Sequence, residues 1–105
     1  MKVLNAFSLN MLAEFPASIQ VAEISAAEAS AMLARIGAES AVGHEDTASV
    51  FTSMLGTEVA FNRASVKLQR DEECLVGQLS GTRLPLGATE LPPGATIKWL
   101  LVKII

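Results

Sequence analysis

The chain carries one histidine, and it stands in the stretch Val42-Gly43-His44-Glu45-Asp46-Thr47. Gly43 leaves the backbone free to turn sharply, and Glu45 and Asp46 are acids of the kind favoured in a first helical turn. His44 is therefore expected at or just before a helix N-terminus. Free N–H groups at such a terminus suit an anion, and an imidazole exchanges a proton near neutral pH. A plain capping or surface role is the alternative. Further polar residues occupy places where apolar ones would be expected: Asn5, Ser8, Asn10, Thr47, Asn62, Arg63, Gln78 and Arg83. Several fall at strand ends or in turns, where open α/β sheets gather ligands. Two arginines, a helix N-terminus and a set of amides and hydroxyls suit a phosphodiester with hydrogen-bonding bases. The sequence has no paired carboxylates, Walker-type loop, dinucleotide fingerprint or serine nucleophile elbow. These residues by themselves specify only a small anionic ligand.

The elements that must position them are legible from periodicity and caps. Lys2 to Ala6 reads as a first strand. Phe7 to Phe15 reads as a helical turn or tight loop pinned by its apolar residues and stopped by Pro16. Ala17 to Ile24 alternates as a half-buried strand. Ser25-Ala26-Ala27-Glu28 is a capping box, after which Ala29, Met32, Leu33 and Ile36 recur at helical spacing and Gly37 closes the helix. Glu39 to Val42 is a short strand leading to His44. The next helix carries Val50, Phe51, Met54 and Leu55 on one face and ends at Gly56. Beyond Val59 the pattern turns to β. Ser65 to Gln69 and Cys74 to Leu79 suggest a hairpin turned by Asp71-Glu72-Glu73, itself expected to be solvated. A Gly/Pro-rich loop from Ser80 to Gly94 precedes a long, largely apolar strand from Thr96 to Ile105, which belongs inside a sheet or at a subunit contact. This order predicts an α/β or α+β domain, compact and single over residues 1–105, with a mixed β-sheet flanked by helices.

Composition narrows the classes. Half of the 105 residues are apolar, and the mean hydropathy of +0.40 is high for so short a chain. Apolar surface that a small monomer cannot hide tends to end in a subunit interface, so a homodimer is expected. The net charge of −3 argues against binding duplex nucleic acid, which needs a broad positive stripe. Cys74 is the only cysteine, which fits a reducing compartment and leaves no cluster for structural zinc. No segment reaches the roughly 18 apolar residues of a membrane span, and Asn5, Ser8, Asn10 and Glu14 interrupt any signal-peptide pattern. A cytoplasmic protein with no membrane partner is the expectation. Trp99 reads as a core or interface residue in preference to an adenine-stacking platform, and Cys74 as an inert buried one.

The run Asn5-Ala6-Phe7-Ser8-Leu9-Asn10-Met11-Leu12 closely resembles the N-terminal signature of the small viral and bacterial proteins that include the viral anti-CRISPR ring nucleases. Later pieces are similar in the same order. They are Gly43-His44 opening a helix with Thr47, then Asn62-Arg63-Ala64 and Val76-Gly77-Gln78-Leu79. Arg83-Leu84-Pro85 ahead of Gly87-Ala88 and the closing Ile97-Lys98-Trp99 strand follow. The resemblance runs over nearly the whole chain.

It implies a homodimer that binds cyclic tetra-adenylate, the second messenger of type III CRISPR defence, in a pocket across the dimer axis. The ring is cut to linear di-adenylate without a metal or other cofactor, which switches off the defence, in the cytoplasm of a prokaryotic cell or virus-infected host. The catalytic histidine of the family matches His44. The substrate-binding positions map onto Asn5, Ser8, Asn10, Thr47, Gln78 and Arg83, with Arg63 nearby. The chain departs from the pattern where a glutamate commonly follows the Arg-Leu-Pro-like motif, since Leu86 stands there and Glu90 lies four residues on. A dimer that sequesters the cyclic nucleotide without cutting it, or one that is only structural or regulatory, are the alternatives. Asn5, Ser8 and Asn10 could instead satisfy nearby backbone groups, and Arg83 could serve an interface ion pair.

Overall fold

A computed structural model describes residues 1–105. Five strands and two α-helices form around one mixed sheet. In chain order they are β1 (Lys2–Leu4), a 3-10 turn (Leu9–Met11), β2 (Ile19–Ile24), α1 (Ala26–Ile36) and β3 (Glu39–Ser40). α2 (Glu45–Leu55), β4 (Glu73–Gly81) and β5 (Ala95–Ile104) complete the fold. The sheet order is β2-β5-β4-β1-β3. β1 lies parallel to both β3 and β4, while β5 runs antiparallel between β4 and β2. The α+β class with a mixed sheet is as expected.

Both helices begin and end where local chemistry dictates. The Ser25 hydroxyl accepts from the Glu28 N–H while the Glu28 carboxylate accepts from the Ser25 N–H, so the capping box forms as read. α2 ends at Gly56 in the left-handed region (φ +65°), a conformation that spares glycine the strain of a side chain. Ala29 and Leu33 of α1 and Ala48, Phe51 and Leu55 of α2 pack with Val3, Leu75 and Trp99 on one face of the sheet. The Phe51 and Trp99 rings meet nearly edge to face, with centroids 4.8 Å apart and planes at 64°.

The opposite face is covered by loops, not by helices. Leu4, Cys74, Val76, Val102 and Ile104 of the sheet pack there against Leu12 and Leu68. This arrangement corrects the hairpin expected after residue 64. Residues Ser65 to Gln69 form no strand beyond a single bridge between Leu68 and Leu12. The two edges of β4 are taken by β1 and β5, which leaves no place for a further partner. Val66 and Leu68 are apolar because they dock on this second core. The acidic turn is not wholly solvated either, since the Glu72 carboxylate pairs with the Lys2 ammonium in a part-buried setting. β2 is an edge strand, shorter and more exposed than expected, and Val21 is 56% exposed. β5 lies inside the sheet, as its apolar faces require.

Candidate functional site

β1, β3 and β4 are parallel, and the chain leaves the first two on the same side of the sheet. The ends of such strands are where open α/β sheets form a ligand crevice. Asn5 follows β1 directly, and its side-chain oxygen accepts the Gly43 N–H at 3.3 Å. Val42 bridges Phe61 in parallel, and the Asn62 amide donates to the Ser40 carbonyl at 2.7 Å, so the segment before Arg63 is stitched beside β3. Arg63 lies across Gly43, close enough that a Cβ there would come within 3.7 Å of its Cγ.

His44 occupies the N-cap position of α2, with extended backbone (φ −134°, ψ 128°), and no side chain caps the first-turn amides. Its carbonyl accepts from the Ala48 N–H, starting the helix. The first-turn amides are thus left without a side-chain cap, the condition under which a helix start can accept an anion. An open cleft of about 250 Å³ forms here, lined by His44, Asp46, Thr47, Leu79, Arg83 and Leu84. Thr47 is the one polar residue buried in the fold, at 9% exposure. A hydroxyl, an imidazole, a guanidinium and helix amides therefore surround one small space. That set can hold a phosphoryl group and pass it a proton.

The remaining sequence-predicted residues divide. Asn5 sits behind the cleft as a tie on the His44 turn. Ser8 and Asn10 line a separate depression of about 350 Å³ with Met11, Ser65, Val66 and Lys67. There the Ser8 hydroxyl accepts from the Asn10 N–H, which caps the 3-10 turn. Lys67 donates to the Asn10 carbonyl. Within a single chain these two do not join His44. Gln78 is exposed and pairs across the ladder with Lys98. Strand alternation puts it on the face of Val76, away from Gly77 and the helices. Leu86 is 99% exposed, and Glu90, also exposed, does not line the cleft.

A wider groove of about 420 Å³ runs along the outer side of α2. It holds Glu45 and Glu58 and no cation, so its chemistry does not suit an anionic ligand. Nowhere do three or more His, Cys, Asp or Glu side chains gather as a metal-ligand set. No helix is long and apolar enough to cross a membrane. Sequence reading missed Asp46. Its position marks it as a first-turn acid, yet its carboxylate accepts the Gly87 N–H at 3.0 Å. Nothing local in the sequence signals a partner forty-one residues away.

Fold and cleft together define a small α+β domain with an open polar cleft beside the ends of its parallel strands. The chain belongs to the STIV B116-like family, whose model matches residues 1–92. Among solved structures it is similar to B116 of Sulfolobus turreted icosahedral virus. That match has 26% sequence identity, a TM-score of 0.78 and coverage of 97% of each chain. No curated protein matches the chain at a significant level.

Proposed function

We propose that two copies of this chain form a ring nuclease that binds cyclic tetra-adenylate and cleaves it to linear di-adenylate. The observation that carries this reading is the convergence of His44, Thr47 and Arg83 on one cleft at the uncapped start of α2. The substrate supplies its own nucleophile. A ribose 2′-hydroxyl loses its proton to water and attacks the neighbouring phosphorus in line; the 5′-oxygen leaves, and the new end carries a 2′,3′-cyclic phosphate. His44, as an imidazolium, gives that oxygen its proton, a contribution of roughly 10²–10⁴-fold. Arg83 and the amides of the α2 N-terminus offset the charge that builds on the phosphoryl oxygens. The substrate's own geometry supplies proximity. Gathering the residues of two protomers about a two-fold axis is what would bring Ser8, Asn10 and Gln78 to the same ligand. The virus-encoded relative agrees with a role in the contest between virus and host.

Leu86 favours a second reading, in which the dimer holds the cyclic nucleotide without cutting it. Its side chain is fully exposed and offers no carboxylate to assist the reaction. Incubation of the purified protein with radiolabelled cyclic tetra-adenylate separates the two. Di-adenylate that disappears in His44→Ala supports the nuclease, and tight retention without turnover supports the sequestering dimer. Absence of binding overturns both.

A further inference from the structure

An acid in a cleft that receives a phosphodiester is a physical contradiction. Its charge opposes the ligand and partly cancels the helix dipole beside it. α2 has two such acids, and the structure disposes of them differently. Glu45 faces the outer groove, whereas Asp46 lines the cleft with His44 and Arg83. The Asp46 carboxylate is also the acceptor for the Gly87 N–H, at 3.0 Å.

That bond is the sole hydrogen bond between residues 83–91 and the rest of the fold. The base of the loop is closed by the Thr82 N–H donating to the Gly94 carbonyl, and the turn at its tip is internal, Ala88 N–H to Pro85 carbonyl. Gly87 sits in that turn at φ +78°, its N–H bonded to Asp46 of α2, and Leu86 beside it is fully exposed. The loop begins with Arg83, the only arginine or lysine lining the cleft. The loop's hydrogen bond to α2 is thus made four residues beyond Arg83, from the turn at its tip.

We propose that Asp46 is a positioning residue that latches the 83–91 loop to the start of α2 and so holds Arg83 over the His44 cleft for a phosphodiester ligand. This rests on the functional reading above. The latch explains the acid, because an engaged carboxylate whose oxygen is tied to a loop amide offsets its repulsion by placing a cation.

Two substitutions separate the latch from charge. Asp46→Asn keeps a side-chain oxygen to accept from Gly87 and removes the charge, while Asp46→Ala removes both. The first readout needs no ligand. Amide hydrogen exchange at Gly87 is expected to speed up about tenfold or more in Asp46→Ala and to stay near the parent rate in Asp46→Asn. Unchanged exchange in Asp46→Ala overturns the latch. The second readout is the dissociation constant for cyclic tetra-adenylate. Asp46→Ala is expected to bind about tenfold more weakly, and Asp46→Asn as tightly as the parent or tighter. If both substitutions tighten binding, the residue acts only through its charge and the proposal fails. If both weaken binding alike and lower the thermal midpoint alike, Asp46 serves only the helix start, and the proposal fails again. A parent protein that does not bind the nucleotide refutes the functional reading, while the exchange arm still decides the latch by itself.

Discussion

The side-chain oxygen of Asn5 accepts the Gly43 N–H at 3.3 Å, tying the end of β1 to the turn that delivers His44. Asn5, which the family resemblance assigns to substrate binding, is thus also a tie on the turn that carries His44. Asn5→Ala is expected to lower stability by about 0.5–1.5 kcal/mol, the net worth of one hydrogen bond. On the proposed nuclease reading, turnover of cyclic tetra-adenylate should fall more than affinity, because the turn that carries the imidazole loses its tie. Single-turnover rates and dissociation constants measured on the same preparation check this, and a loss in affinity alone would return Asn5 to the ligand.

Gly77 faces the Phe51 and Trp99 rings so closely that a Cβ would lie 2.4 Å from Phe51 Cζ and 2.7 Å from Trp99 Cζ3. Both rings are buried in the core under the helices, Trp99 at 3% exposure. Gly77→Ala is expected to cost about 1–3 kcal/mol through overpacking. Pairing it with Phe51→Leu should recover part of that loss, as read from urea midpoints.

The Lys2–Glu72 pair makes stability depend on pH at both ends of the range. The hydrogen bond to Glu72 raises the Lys2 ammonium above its ordinary value of 10.5, and burial opposes it more weakly. For Glu72, burial pushes the carboxyl up. The Lys2 hydrogen bond and charge and the Gln69 N–H together outweigh burial and hold it below 4.5. The contribution of Glu72 is therefore present above about pH 4.5 and lost as pH falls through its lowered value. The contribution of Lys2 is complete below about pH 10.5 and lost as pH rises past its raised value. Lys2→Met should flatten both limbs of a stability–pH curve, and an unchanged acid limb would show that other carboxylates carry it.

Burial raises the Cys74 thiol to about 11, with the nearby Glu72 charge acting in the same direction. The thiolate is the reactive form, so the native protein is expected to resist a thiol reagent at pH 8. Labelling should follow the unfolding transition in urea. Fast modification of the folded protein would contradict this placement in the second core.

Much of the framework can be read from the chain without coordinates. The capping box at Ser25, the apolar spacing of α2 up to Gly56, the inward Trp99 and the doubly apolar β5 rest on interactions within a few residues, or on the burial preference of one side chain. They survive whatever the tertiary context. The placement of His44 at a helix start belongs with them, since Gly43 and the two acids that follow mark it locally. The strand pairing of β4 did not. Alternation in Ser65 to Gln69 signals an apolar face and says nothing of its partner, which proved to be Leu12 and the loop-covered side of the sheet. Only the closed tertiary structure brought Asp46 to Gly87 and Asn5 to Gly43, and placed Ser8 and Asn10 in a different depression from His44 within one chain. Each of those relations joins segments far apart in sequence, whose distance depends on the order of strands in the sheet. Local propensity is written in neighbouring residues, but sheet order is settled by which cores can be buried together, and the geometry of the cleft follows from that.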